Sequence, residues 1–321
     1  MHSAYTSDSL IDLTTISDLT EVRQHNIITE SRFEMSACQL DLFFFLLYQL
    51  DKNDEPGKKY WIYVKDIMTV TSRDWNYAQC KDATRGMMQK VIEIEQKNGN
   101  LLQVALFASC EYIKGKGLIE VEISDKIRPY LINIKEEFTS FKLLGALNMP
   151  GKYAKRIYIM LSQWRDQSIK KFTIDEFKTR LKLKDPEGKI PEKYTKVSHL
   201  KDIVLDPAIK EINQLTDLKV SYEFKAEGTG KRFTMIYFYL NHHKPDIKQI
   251  PLDFKESDAI RIEANLKEVG IVRADVVKKI IESQDLKKKF AKWFYDWKTG
   301  KFDKVKMKNP AGYCLKTIGI L

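Results

Sequence analysis

The sequence predicts an α+β fold: two successive units of three helices and a β-hairpin, followed by a small helical C-terminal appendage. Three observations predict it. The order helix, short helix, longer helix, hairpin is legible twice along the chain. A Pro150-Gly151 break separates the two runs. The candidate strands alternate apolar and polar residues, whereas the candidate helices repeat theirs every three to four positions. Three helices closed by a hairpin is the order of a winged helix, so the expectation is two tandem winged-helix domains. Their bounds are a flexible leader over 1–24, a first domain over 25–149, a second over 150–245 and a basic helical tail over 246–321.

The leader has no apolar period. MSACQLDLFFFLLYQL (35–50) is apolar nearly all round, with Ser36 as its cap, which predicts a deeply buried first helix. After the turn signal DKNDEPGKK, YWIYVKDIMTVT predicts a short extended stretch and a short helix. RDWNYAQCKDATRGMMQKVIEI predicts the longer third helix. Tyr77, Cys80, Ala83 or Thr84, Met87, Met88 and Val91 recur there at helical spacing as an inward face, with Asn76, Gln79, Lys81, Arg85 and Gln89 outward. Hairpin signals follow, with turns at KNGN and KGKG. The segment 138–149 reads as a closing helix and connector.

In the second unit, KYAKRIYIMLSQW is the first helix and TIDEFKTRLKL the second, capped by Thr173. YTKVSHLKDIVLDPAIKEIN is the third, with Leu200, Val204, Ile209 and Ile212 as its core face. Pro207 lacks an N–H and crowds the preceding turn, so a kink or a fresh helix start is expected there. The strands that follow turn at Gly228 and Gly230. In the tail, QDLKKKFAKWFYDW places Leu286, Phe290, Trp293, Phe294 and Trp297 on one face and Lys287, Lys288, Lys289 and Lys292 toward the other. The aromatic stripe is expected to pack internally, on the second winged helix, rather than serve a partner. Asn309-Pro310 caps a last short helix.

The net charge of +10 is unevenly spread: −4 over residues 1–149, +8 over 150–245 and +6 over 246–321. A basic domain joined to a mildly acidic one is expected where the first grips a polyanion and the second meets protein. Four separated cysteines form no C-x-x-C pair, so neither a zinc site nor a disulfide framework is indicated. The polar N-terminus lacks the pattern of a signal peptide, and LFFFLLY is far shorter than the ~20 residues of a membrane span. The expected location is the cytoplasm, with no membrane partner.

Enzymatic readings fail on particular residues. GTGKR (228–232) has Lys225 where a phosphate-binding loop needs its first glycine, and Arg232 where it needs Ser or Thr. A nicking enzyme of rolling-circle replication needs two histidines flanking an apolar residue. His242 and His243 are adjacent and would point to opposite faces of a strand. No catalytic residue, metal or cofactor is therefore expected. DNA binding suits the pattern better. Lys193, Thr195, Lys196, Ser198, His199 and Lys201 gather at one end of the second domain's third helix, and Lys231 and Arg232 at its wing tip. In the first domain Asn76, Gln79, Lys81 and Arg85 are the candidates: Asn and Gln pair with adenine, and Arg pairs with guanine. Asp74 and Asp82 on the same helix oppose phosphate.

Several short motifs also occur in a known order. Tyr194, Val197, Leu200, Leu205, Ala208, Glu211-Ile212-Asn213 and Thr216-Asp217, followed by a hairpin ending in IYFYL, resemble the second winged helix of iteron-binding plasmid replication initiators of the F-plasmid type. Tyr77, Cys80, Ala83 and Met87 are similar to that family's Y-x₂-L-x₂-A-x₃-L helix, and RIYIMLSQW to its R-x-Y-x-x-L segment. The resemblance covers about residues 25–245. It implies a non-enzymatic initiator in the bacterial cytoplasm that binds double-stranded origin repeats, helps open an AT-rich stretch and recruits host replication initiator and helicase proteins. It also implies a homodimer through the first domain that represses its own gene. Arginines at the start of the family's second recognition helix are Thr195 and Lys196 here, and lysine lacks the guanidinium's bidentate fork. The alternatives are a winged-helix transcriptional regulator without initiator role, a scaffold whose winged helices bind only protein, and the disfavoured nicking enzyme.

Overall fold

The structure, a computed structural model, describes residues 19–71, 73–96, 98–114, 117–227, 232–243, 255–298, 302 and 309–320. The chain divides into two units, residues 16–252 and a second comprising 1–15 and 253–321. Both winged helices lie in the first.

Residues 21–24, taken above with the leader, are instead part of a strand. β1 (Glu21–His25) pairs antiparallel with a strand more than a hundred residues later, buries Val22 and Gln24, and is followed by the short helix α1 (Asn26–Glu30). α2 (Ala37–Gln49) is the buried first helix. Ser36 and Gln39 form a reciprocal capping box, and Leu40, Leu42 and Phe43 to Leu47 lie inside. β2 (Lys59–Tyr63), α3 (Val64–Thr71) and α4 (Tyr77–Met88) complete the helical part of the first domain. α4 ends before Val91, which sits exposed in β3 (Val91–Glu95). Tyr77 and Met88 are likewise exposed, so the inward face is Cys80, Ala83, Thr84 and Met87.

Among the described residues β3 pairs with β4 (Leu101–Ala105) alone, as a separate hairpin. β5 (Phe107–Ile113) and β6 (Leu118–Ile123) form the wing, and the sheet order is β2-β6-β5. The expected single run LLQVALFASCEYI thus breaks at Leu106, which is buried at the corner between the two hairpins. β7 (Phe138–Lys142), where a helix was expected, pairs with β1, and α5 (Leu143–Asn148) follows it.

The second domain opens with α6 (Lys152–Ser162), then β8 (Ile169–Thr173) and α7 (Ile174–Arg180), whose first turn is capped by the Thr173 hydroxyl. α8 (Val197–Leu200) continues through a wide π segment, Lys201–Leu205, into α9 (Asp206–Leu215). The Asp206 N–H reaches back five residues to the Lys201 carbonyl. Widening the turn accommodates Pro207, which can neither donate nor fit a normal α-turn, and the helix continues without a break. β9 (Leu218–Lys225) and β10 (Met235–His242) form the wing, with sheet order β8-β10-β9.

A buried ion cluster joins the two domains. Asp41 on α2 lies 2.6 Å from the Lys155 ammonium on α6 and 2.7 Å from the Arg73 guanidinium. Lys155 donates to the carbonyls of Ala146 and Leu147, and Arg73 to those of Leu147 and Met149, satisfying the orphan carbonyls at the end of α5. Burial pulls Lys155 down to about 8 and Asp41 up, while two flanking cations favour the ionised carboxylate. Arg156 donates to the carbonyls of Thr29 and Ser31 and lies over the Phe33 ring. Gly145 lets α5 press on the end of α9: a Cβ there would stand 2.8 Å from the Leu215 carbonyl.

The second unit contains α10 (Lys255–Val269), α11 (Ala274–Glu282), α12 (Gln284–Lys298) and α13 (Pro310–Thr317), the last capped by the Asn309 side chain. Phe290 and Trp293 are buried with Ile262, Leu266, Ile280 and Cys314, while Leu286, Phe294 and Trp297 pack around them. The aromatic stripe therefore belongs to the tail's own core, a correction to the expected packing on the second winged helix. Lys288, Lys289 and Lys292 are exposed and Lys287 is half-buried; Lys289 pairs with Asp285 at 2.7 Å.

Candidate nucleic-acid interface

The third helix of the second domain is held from beneath. Phe172, Phe177 and Phe238 pack with tilted and edge-on rings at 5.5–6.1 Å and anchor α7 to the sheet. From α7 the buried Lys178 sends its ammonium to Glu192 and, at 2.9 Å, to the Tyr194 carbonyl. The Lys193 N–H donates to Leu183 at 2.7 Å, and Asp185 accepts from the N–H groups of Lys189 and Ile190. Tyr194 takes a left-handed backbone (φ 51°), which turns the chain into α8. The loop before the helix is thereby fixed by backbone and buried-lysine bonds.

Leu200, Val204, Leu205, Ala208, Ile209 and Ile212 are buried, as the spacing predicts. Lys193, Thr195, Lys196, Ser198, His199 and Lys201 are all exposed. They differ in what holds them. Lys193 stands 3.7 Å from Glu34 of the first domain. Lys201 bonds Asp206, which also accepts from the Tyr222 hydroxyl, and lies 4.0 Å from Asp202. Asp206 raises Lys201, and Lys201 in turn lowers Asp206. The lysine's charge is partly balanced on its own helix. Asp202, Ile203 and Lys210, not singled out from the sequence, share the exposed surface. The signal for them was the complement of the core set, since whatever does not face the core along this helix faces out.

At the wing, Arg232 is exposed, whereas Lys231 and the turn glycines lie outside the described residues. Lys171 and Lys225 both sit 4.6 Å from the centre of the Tyr237 ring, on the two strands that flank its own, and keep positive charge close to the sheet surface.

In the first domain Asn76, Gln79, Lys81 and Arg85 are exposed on α4. Asn76 and Gln79 form a capping box at 2.9 and 3.0 Å, so their side-chain oxygens are committed to the helix start. A bidentate pair with adenine uses both the oxygen and the NH₂ of the amide, so base readout would require opening the box. Arg85 lies 3.7 Å from Asp82. Tyr77 packs edge-on against Tyr112 of the wing, whose hydroxyl meets Thr84 at 2.9 Å. Gln39 donates to the Ala83 carbonyl at 3.0 Å and draws α4 so close that a Cβ at Gly86 would stand 2.5 Å from its amide nitrogen.

Among the described residues, no group of three or more His, Cys, Asp or Glu side chains is placed to hold a metal ion, and no helix is long and apolar enough to cross a membrane.

Residues 21–162 match the family model described as initiator replication protein, WH1, and residues 173–240 the model described as initiator Rep protein, WH2. A probable replication protein, rep, of Bifidobacterium longum (strain NCC 2705) is 28% identical over 162 residues, 50% of this chain and 51% of that protein. The chain thus spans about half the length of that curated relative. An uncharacterised 27.6 kDa protein of Escherichia coli is 21% identical over 223 residues, 65% of this chain and 91% of that protein. Among solved structures, the Pi initiator protein in complex with iteron DNA superposes with a TM-score of 0.63 at 18% identity, covering 71% of this chain and all of the other, a likeness of fold.

Proposed function

We propose that this chain, which belongs to the initiator replication protein family, is a plasmid replication initiator that binds repeated duplex sequences at its origin. What supports the reading most is a single arrangement. Two winged helices, each with an exposed third helix, lie in one unit, and a buried ion cluster ties them together. A fixed pair of readers suits a site spanning two successive major grooves better than one isolated groove.

In the second domain, Lys193, Thr195, Lys196, Ser198, His199 and Arg232 face the duplex, with Ile203 available to a thymine methyl and Asp202 to a cytosine amino group. In the first, Lys81 and Arg85 supply the contacts, with Asn76 and Gln79 only where the capping box opens. The basic tail adds sequence-independent attraction. Opening of the origin, recruitment of host replication initiator and helicase proteins, and an autorepressing homodimer through the first domain complete the reading. The protein acts in the cytoplasm without catalysis of its own.

The test is titration of the full chain with duplexes from the DNA beside its reading frame, searched for direct repeats of about two helical turns, against shuffled duplexes of equal length. The expected preference is about 10³-fold or more. A preference below about tenfold would assign the protein to sequence-independent binding and remove the initiator reading.

A further inference from the structure

We infer that the cleft where the two winged helices meet is a phosphodiester site on the path of the duplex, masked by the carboxylate of Glu34. The inference rests on the duplex-binding reading above. The cleft, of about 520 Å³, is lined by residues that include Glu34, Gln39, Lys90 and Lys152. Three ammonium groups from three parts of the chain converge on Glu34. Lys152, the first residue of α6, stands 2.6 Å from one carboxylate oxygen, and Lys193 stands 3.7 Å from the other. Lys90 bonds the Glu34 carbonyl and, at 2.8 Å, the Gln39 side chain. One carboxylate set among three ammonium groups leaves the cleft positive. The hydrogen bond from Lys152, with the attraction of Lys193 and Lys90, holds Glu34 below the usual carboxylate range.

The position of the cluster matters as well as its charge. Lys90 lies two residues beyond the end of α4, and Lys193 four residues before the start of α8. The cluster therefore lies where the chain leaves α4 and where it approaches α8, and on the duplex-binding reading a duplex that contacts both helices runs past it. A phosphodiester presents the same chemistry as Glu34, anionic oxygens that accept N–H bonds. Each ammonium has three donors, of which Lys90 spends two on Glu34 and Gln39. A phosphate that enters replaces the Glu34 carboxylate on Lys152 and Lys193. Such a contact positions the duplex without reading its sequence.

Glu34→Gln in the full chain unmasks the site. Affinity for cognate and shuffled duplexes is expected to rise by the same factor. Each additional phosphate neutralised steepens the salt slope by about 0.9, about eightfold per tenfold change in salt. Lys152→Gln is expected to shift both in the opposite direction. Asp166→Asn, which removes one charge at a side chain 92% exposed, controls for net charge, and an unchanged unfolding midpoint controls for folding. If Glu34→Gln binds no more tightly than wild type, or gains no more than Asp166→Asn, the carboxylate is only an interdomain tie and the inference falls. If the wild type shows no salt-dependent duplex binding, the duplex reading falls with it; if the wild type binds and Glu34→Gln changes nothing, only this inference falls.

Discussion

Lys155→Met in the full chain is expected to lower the unfolding free energy by about 3 kcal/mol, the low end of the range for breaking a buried ion pair, because Arg73 still faces the buried Asp41 carboxylate. Asp41 is fully buried, and Lys155 supplies one of the two cations within 2.7 Å of it. Removing that ammonium also strips donors from the last carbonyls of α5. Pairing the change with Asp41→Leu should recover part of the loss, because a buried ion pair replaced by apolar groups is often neutral, while Arg73 loses its carboxylate and keeps only its bonds to the Leu147 and Met149 carbonyls. Urea denaturation of the wild type, both single variants and the double variant measures the coupling directly. A loss below about 1 kcal/mol for Lys155→Met would place the hold between the domains elsewhere. The same variant should lose preference for the repeat, since two readers without fixed spacing no longer fit two grooves together.

Converting Thr195, Lys196, Ser198 and His199 together to alanine is expected to lower affinity for the repeat by about a hundredfold or more, given ~1–3 kcal/mol for each good base contact. Binding to shuffled DNA should fall far less, with a salt slope flatter by about one for the single lysine removed. All four side chains are exposed, so folding should persist. Lys201→Ala should do less than its position on the helix suggests. Its ammonium is already bonded to Asp206, and its removal leaves that carboxylate facing the groove. Equal losses on repeat and shuffled duplexes would show that this helix end touches only phosphate.

The sequence made the two winged helices and most caps legible because those signals are local. Ser36, Thr173 and Asn309 each cap the helix their position predicts. The misses share a different cause. β1 and β7 pair across more than a hundred residues, and neither alone carries a strong strand pattern. Tyr77 fits the helical period of α4, yet it is the first residue of that helix and packs on the wing, which periodicity cannot distinguish from the core. Lys155 looks like a surface lysine until Asp41 is placed beside it. The available signal was Asp41 itself, an isolated acid in an otherwise apolar run. At the candidate interface the exposed end of the α8–α9 helix was legible from its polar residues. The internal balance of Lys201 by Asp206 was not, because it depends on the π segment that Pro207 imposes.

Whether both winged helices read one repeat is decided by a hydroxyl-radical footprint of the full chain on a duplex holding a single repeat. Protection is expected on one face over about 20 base pairs, in two successive major grooves whose centres lie about one helical turn apart. Protection confined to one groove, about half that length, would contradict it and leave a single winged helix as the reader.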